Sequence, residues 1–186
     1  MENTTLLLID FQNDYFPSFK DAKWKLDNTE DAANNALLLL KEFREKNMNI
    51  VHVKHEFLSD DAPFFAQNTE GAKIYKNLLP LNSEKVILKH KVNSFIDTNL
   101  KEVLDEMDTK NLVIVGAMSH MCIDAVVRAS SDYGYNCFVA HDSCATLPLE
   151  FDGVKVPSKM VHASFMSALQ FAYAKVQSTK KILELI

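Results

Sequence analysis

The stretch NLVIVGAMSHMCID, Asn111 to Asp124, decides how the chain is read. Leu112 to Val115 are apolar in succession rather than alternating, which is the pattern of a strand buried on both faces of a parallel sheet. Gly116 closes the run, and His120 to Asp132 reads as a helix stopped by Gly134, with Ser119 as its expected N-cap. A strand feeding a helix through a short turn is half of a βαβ unit. The same turn sets a cysteine, Cys122, at the front of the helix. Two readings of it stand side by side. Unpaired N–H groups at a helix start favour a reactive thiolate, yet free cysteine is also among the residues most often buried as plain core.

Outward from this stretch the alternation continues. Thr4 to Asp10 (TTLLLID), Met48 to His55 (MNIVHVKH), Glu84 to His90 (EKVILKH) and Tyr135 to Asp142 (YNCFVAHD) read as strands. Asn28 to Asn47 reads as a helix with Asn28 or Thr29 as N-cap and acids in its first turn; Thr98 to Met107 and Pro157 to Ala174 are two more. AKVQS, from Ala174, supplies a short sixth strand. Strands alternating with helices imply a three-layer α/β/α fold on a mainly parallel, doubly wound sheet of about six strands. With no internal repeat and no Pro/Gly/Ser-rich linker, residues 1–186 read as a single domain. Residues 55–83 form the longest irregular stretch, suited to a lid or a pocket wall.

Composition excludes several classes. A formal net charge of −5 with scattered positive residues leaves no basic footprint for nucleic acid. No apolar segment approaches the ~20 residues that cross a bilayer, and the opening MENTTLLLID lacks a secretory signal pattern. Three cysteines, an odd number without a CxxC pair, point to a reducing compartment and a cytoplasmic protein.

Sheets of this kind bind ligands beyond the carboxyl ends of their strands. The residues expected there are Asp10, His52 and His55, Lys89 and Lys91, Cys122, and His141 with Asp142, a dense set of titratable groups. Asp10 ends a buried strand, where a carboxylate is costly unless paired. Beside a thiol it would serve as a general base; otherwise it caps a turn, as Asp14 is expected to do. A lysine opposite Asp10 would form an ion pair that orients the acid and tunes the thiol. Lys89 and Lys91 share strand parity, so the pattern alone leaves both open. Cys137 sits mid-strand and reads as core, while Cys144 follows a strand without a helix start.

LLLIDFQNDYF, VILKHKVNSFIDTNL and VIVGAMSHMCIDAVVRASSDYGYNCFVAHDSCAT, in this order, resemble the isochorismatase-like cysteine hydrolases, the superfamily that includes nicotinamidases. The resemblance implies a catalytic triad of Asp10, Lys89 and Cys122. Lys89 is preferred to Lys91 because the family lysine precedes its phenylalanine by about six positions, as Lys89 precedes Phe95. It also implies a cis peptide bond at Ala117–Met118, with the backbone N–H groups of Met118 and Cys122 forming an oxyanion hole. The activity implied is hydrolysis of a small amide through a thioester, in a homo-oligomer (dimer or tetramer). An isochorismatase-type ether hydrolase is the alternative, although in that branch the cysteine is replaced; a thiol-bearing binding or redox module without turnover is another.

The chain departs from the nicotinamidases at VHVKHEFLSDDAPFF, which has no Asp-x-His pair for their metal. His52 and His55 fall on opposite faces of a strand, so no metal and no cofactor are expected. His55 is read either as pocket lining or as a hydrogen-bonded structural histidine. The other pocket candidates are Phe16, Trp24, Phe57 and His120, with Phe64, Phe65, Met118 and Met121 in neighbouring segments; such walls suit a small, largely apolar substrate.

Overall fold

The computed structural model describes residues 1–59 and 61–186. In chain order the elements are β1 (Thr4–Ile9), α1 (Thr29–Glu45), β2 (Asn49–His55), β3 (Lys85–Lys89), α2 (Leu100–Glu106), β4 (Asn111–Ala117), α3 (Asp124–Asp132) and β5 (Asn136–Ala145). They are followed by β6 (Leu149–Phe151), β7 (Val154–Val156), α4 (Ser158–Ala172), β8 (Ala174–Gln177) and α5 (Thr179–Leu183). Six strands form one parallel sheet in the order β3-β2-β1-β4-β5-β8. The strand order reverses between β1 and β4, so the crevice beyond their carboxyl ends is where a ligand belongs.

Alternate residues of β1 feed two cores, as strand geometry requires. Leu6 and Leu8 pack with Ala36, Leu39, Leu40 and Phe43 of α1 and Ile182 of α5. Leu7 and Ile9 pack with Leu100 and Leu104 of α2, Val126 and Val127 of α3, and Met166 and Leu169 of α4. Each such fully buried aliphatic side chain contributes about 1.5–3 kcal/mol, and both layers use β1 as their common wall. The fold is therefore the three-layer α/β/α arrangement with a doubly wound sheet.

Three local features differ from the sequence reading. The segment before α3 is a π-helical turn, Ser119–Ile123, whose N-cap position is held by Met118 without a side-chain cap. Ser119 is not the cap: its hydroxyl faces the carbonyl of Ala145 (3.3 Å) and Nδ1 of His162 (2.8 Å). The β6–β7 hairpin is an addition to the strands read from the sequence, and Asp152-Gly153 between two short apolar runs is its signal. Both turn residues have positive φ, 49° and 75°. The third is α5, whose Ser178 side chain accepts the N–H of Lys181. Asp142 Oδ1 accepts both N–H and O–H of Thr179 at 2.7 Å, so this rim carboxylate belongs to a helix start.

Candidate active site

The extended backbone of β1 ends at Asp10. Its φ of 53° lies in the left-handed region, which short polar side chains such as Asp tolerate better than branched ones. Its N–H donates to Val53 O at 2.9 Å, tying the turn to β2. Gly116, at φ 137°, lets β4 approach the same point: a Cβ there would collide with the carbonyl of Ile9. Gln12 then fastens the neighbouring strand end. Its amide donates to the carbonyls of His55 and Ala72, and its oxygen accepts the N–H of His55, all at 2.7 Å.

Lys89 ends β3, in register with His55 of β2. Its Nζ lies 2.9 Å from Asp10 Oδ2, with both side chains wholly buried, and donates to Cys122 Sγ at 3.1 Å. The carbonyls of Lys91 (3.1 Å) and Val92 (3.2 Å) accept from the same ammonium, and His55 Nδ1 stands 3.3 Å away. Lys91 is itself exposed and takes part only through its backbone. Apart from the ion pair with Lys89, neither carboxylate oxygen of Asp10 has a well-directed hydrogen bond. Cys122, 6% exposed, projects from the π-helical turn, where the carbonyl of Met118 accepts the N–H groups of Met121 and Ile123. The Ala117–Met118 peptide bond is cis.

Burial opposes every charge in this group. It raises the carboxyl of Asp10 above its ordinary range, with Lys89 as the main opposing influence. Burial also works against the Lys89 ammonium, but Asp10 and Cys122 outweigh it and hold the lysine protonated. Burial and then the charge of Asp10 push the Cys122 thiol up to about 12, against the pull of Lys89. His55 is pushed down to about 3 by burial, then by Lys89 and His90, and is neutral. One positive charge is thus enclosed with two groups that can share one negative charge. Moving a proton from the thiol to the carboxylate leaves the enclosed net charge unchanged, so burial penalises both states alike.

The aromatic candidates divide. Phe57 lies against His55 with ring centroids 4.3 Å apart, Phe64 meets Phe57 edge-on at 5.3 Å, and Trp24 packs on Phe64 at 5.0 Å. These form a wall running outward from His55. Asp14 holds the wall in place, its carboxylate accepting the N–H groups of Phe65 (2.8 Å) and Lys23 (3.1 Å). Phe16 is not part of it. Fully buried and stacked on Tyr75 at 3.7 Å, it belongs to the α1 core. His120, in the π-helical turn, is engaged with the Thr146 hydroxyl at 2.7 Å. Tyr15 carries no signal in the sequence that sets it apart from core, yet it packs on Phe65 and lies where Cys122 and Asp10, after burial itself, raise its hydroxyl.

His52 points to the other face of the sheet, 2.9 Å from Glu84 Oε2, and Glu84 also binds Arg44. Among the described residues no group of three or more His, Cys, Asp or Glu could hold a metal ion. His141 and Asp142 line a separate polar cleft of about 390 Å³, with Asp31, Asn35 and His162, that includes none of Asp10, Lys89 and Cys122. No helix among the described residues is long and apolar enough to cross a membrane.

Comparison with known proteins gives a consistent result. The family model for the isochorismatase domain matches residues 4–164. The uncharacterised isochorismatase family protein YddQ of Bacillus subtilis (strain 168) is 47% identical over 181 residues, covering 97% of this chain and 99% of its own. The secreted isochorismatase effector Isc1 of Verticillium dahliae is 37% identical over 142 residues, covering 76% of this chain and 72% of its own. A crystal structure from Oleispira antarctica, assigned to the isochorismatase hydrolases, superposes with a TM-score of 0.96 at 56% identity, covering 99% of this chain and 98% of the other.

Proposed function

We propose that this chain, which belongs to the isochorismatase family of hydrolases, cleaves the C–N bond of a small amide through a thioester on Cys122. The observation that carries this reading is the placement of one buried ammonium, Lys89 Nζ, 2.9 Å from Asp10 Oδ2 and 3.1 Å from Cys122 Sγ. Asp10 takes the thiol proton, and Lys89 remains charged and steadies whichever partner carries the negative charge. Cys122 Sγ attacks the amide carbonyl, whose oxygen becomes an oxyanion received by the backbone N–H groups of Met118 and Cys122. Helix-start N–H groups lack upstream partners and are suited to that charge. The tetrahedral intermediate collapses, the amine leaves with the proton held by Asp10, and the acyl group stays on sulfur. Water then attacks the thioester, giving a proton to Asp10 that returns to the departing thiolate.

An ether-cleaving reaction is the second reading, because the family takes its name from one. Hydrolysis of a vinyl ether needs an acid to protonate carbon and makes no use of a sulfur nucleophile. The enclosed thiol therefore favours the amide. The deciding experiment offers the purified protein a panel of small amides and ureas, read as ammonia or amine release, alongside a vinyl ether. Release from at least one amide supports this account; cleavage of the ether alone overturns it.

Other features support related expectations. The outward residues of α4 carry no charge beyond Lys159, and Phe171 is 91% exposed; Phe151 of the hairpin is 83% exposed. Each such ring leaves on the order of 150–200 Å² in water, which supports a homo-oligomer, dimer or tetramer, closed over these faces. The cysteines are free and buried, which supports a reducing compartment such as the cytoplasm. The unbroken six-stranded sheet supports reading residues 1–186 as one domain.

A further inference from the structure

One ring nitrogen of His55 is accounted for and the other is not. Nδ1 stands 3.3 Å from Lys89 Nζ. An ammonium offers only hydrogens, and we assign the Nδ1 lone pair to it, which puts the ring hydrogen on Nε2. The neutral state agrees with burial and with the nearby Lys89 and His90, which outweigh the Lys91 carbonyl beside the ring and hold its pKa at about 3. Nε2 is buried and meets no hydrogen-bond partner among the described residues, on a side chain only 5% exposed. A buried donor left unpaired is an expensive feature that asks for an explanation.

The donor is also held firmly. Gln12 bonds both the N–H and the carbonyl of His55, the β2–β3 register sets the ring beside Lys89, and Phe57 lies against one face. Beyond Phe57 the apolar wall continues through Phe64 to Trp24. Apolar walls with one or two fixed polar groups are how proteins orient small molecules.

We propose that His55 anchors the substrate by donating a hydrogen bond from Nε2 to an acceptor other than the scissile carbonyl oxygen. The proposal rests on Cys122 being the reacting thiol. It narrows the substrate to a small amide with a second acceptor, such as a carbonyl, carboxylate or ring nitrogen, and a flat or apolar part that lies along Phe57 and Phe64. A cationic group at that place would face an N–H with the Lys89 ammonium behind it, and is disfavoured.

Two alkylating reagents test this without a known substrate. Iodoacetamide leaves on Cys122 a carbonyl one carbon from sulfur, whereas iodoethane leaves a short chain with no acceptor. In both, sulfur displaces iodide and the thiol proton passes through Asp10 to solvent. The readout is the ratio of the two alkylation rates at Cys122, normalised to the same ratio for free N-acetylcysteine. Any change in thiol reactivity caused by losing the Lys89 contact cancels in this ratio. His55→Phe is expected to lower it about tenfold, the worth of one hydrogen bond. His55→Gln, whose amide N–H can reach the Nε2 position, is expected to restore most of it. An unchanged ratio in His55→Phe would overturn the proposal, and so would nitrogen-15 NMR of the unmodified protein placing the ring hydrogen on Nδ1. If the amide-hydrolase reading fails instead, no amide is turned over while the alkylation ratio still responds to His55.

Discussion

At the scale of single residues, the proposed chemistry depends on Asp10, Lys89 and Cys122 sharing one enclosed charge balance. Asp10 raises the thiol and Lys89 lowers it. Asp10→Asn is therefore expected to make Cys122 more acidic while abolishing turnover, because the charge that opposed ionisation and the base that accepts the proton are the same group. Thiolate absorbance against pH, set beside hydrolysis rates, checks both halves; a thiol pKa unchanged or raised in the variant would contradict the account. Lys89→Met leaves Asp10 buried without its cation and should cost about 3–5 kcal/mol in denaturant unfolding. The double variant Asp10→Asn/Lys89→Met should regain much of that loss, since removing both partners also removes the unpaired charge. Asp10 and Cys122 were legible as candidates because the ends of buried apolar runs are poor places for idle polar groups. Lys89 and Lys91 were not separable by parity; what separates them is that β3 ends at Lys89, so only its side chain turns inward. Phe16 misled because apolar character does not tell a pocket wall from a core.

At the scale of elements, the six strands of the main sheet, the short β8 included, and helices α1 to α4 were legible from apolar runs and periodicity, while the π-helical turn, the β6–β7 hairpin and α5 were not. The π-helical turn carrying Cys122 has no sequence pattern distinct from an ordinary helix start. The hairpin's Asp152-Gly153 signal was present but flanked by only three-residue strands. His52 shows how residue type can suggest one role and packing assign another. It joins Glu84 and Arg44, linking β2 and α1 to the segment before β3. Burial works against the Glu84 carboxylate, but Arg44, the Leu81 N–H and His52 outweigh it and hold its pKa at about 2, below the ordinary 4.5. A depressed carboxyl pKa means stability that is fully present above about pH 4.5 and is lost as pH falls through about 2. Glu84→Gln should cost roughly 2–3 kcal/mol near neutrality. Its unfolding free energy should also fall less steeply than that of the unmodified protein between those two pH values. Chemical denaturation at a series of pH values checks the prediction, and parallel curves would refute it.

At the scale of the whole molecule, the reversal of strand order between β1 and β4 puts three sequence-distant groups at one crevice. No local pattern reveals that convergence; it follows from the topology. The proposed association is the other matter at this scale. Phe171→Glu on α4 is expected to shift a dimer or tetramer toward monomer in light scattering, with the melting temperature of the dissociated form as a check on folding; an unchanged mass would remove α4 from the interface. The most direct test of the central claim is the rate of ammonia release, from an amide the protein turns over, by Cys122→Ala against the unmodified chain. The account predicts a fall of at least about 10³-fold, as for loss of a covalent nucleophile, with an unchanged melting temperature. A Cys122→Ala protein that hydrolyses the amide at the original rate would contradict it.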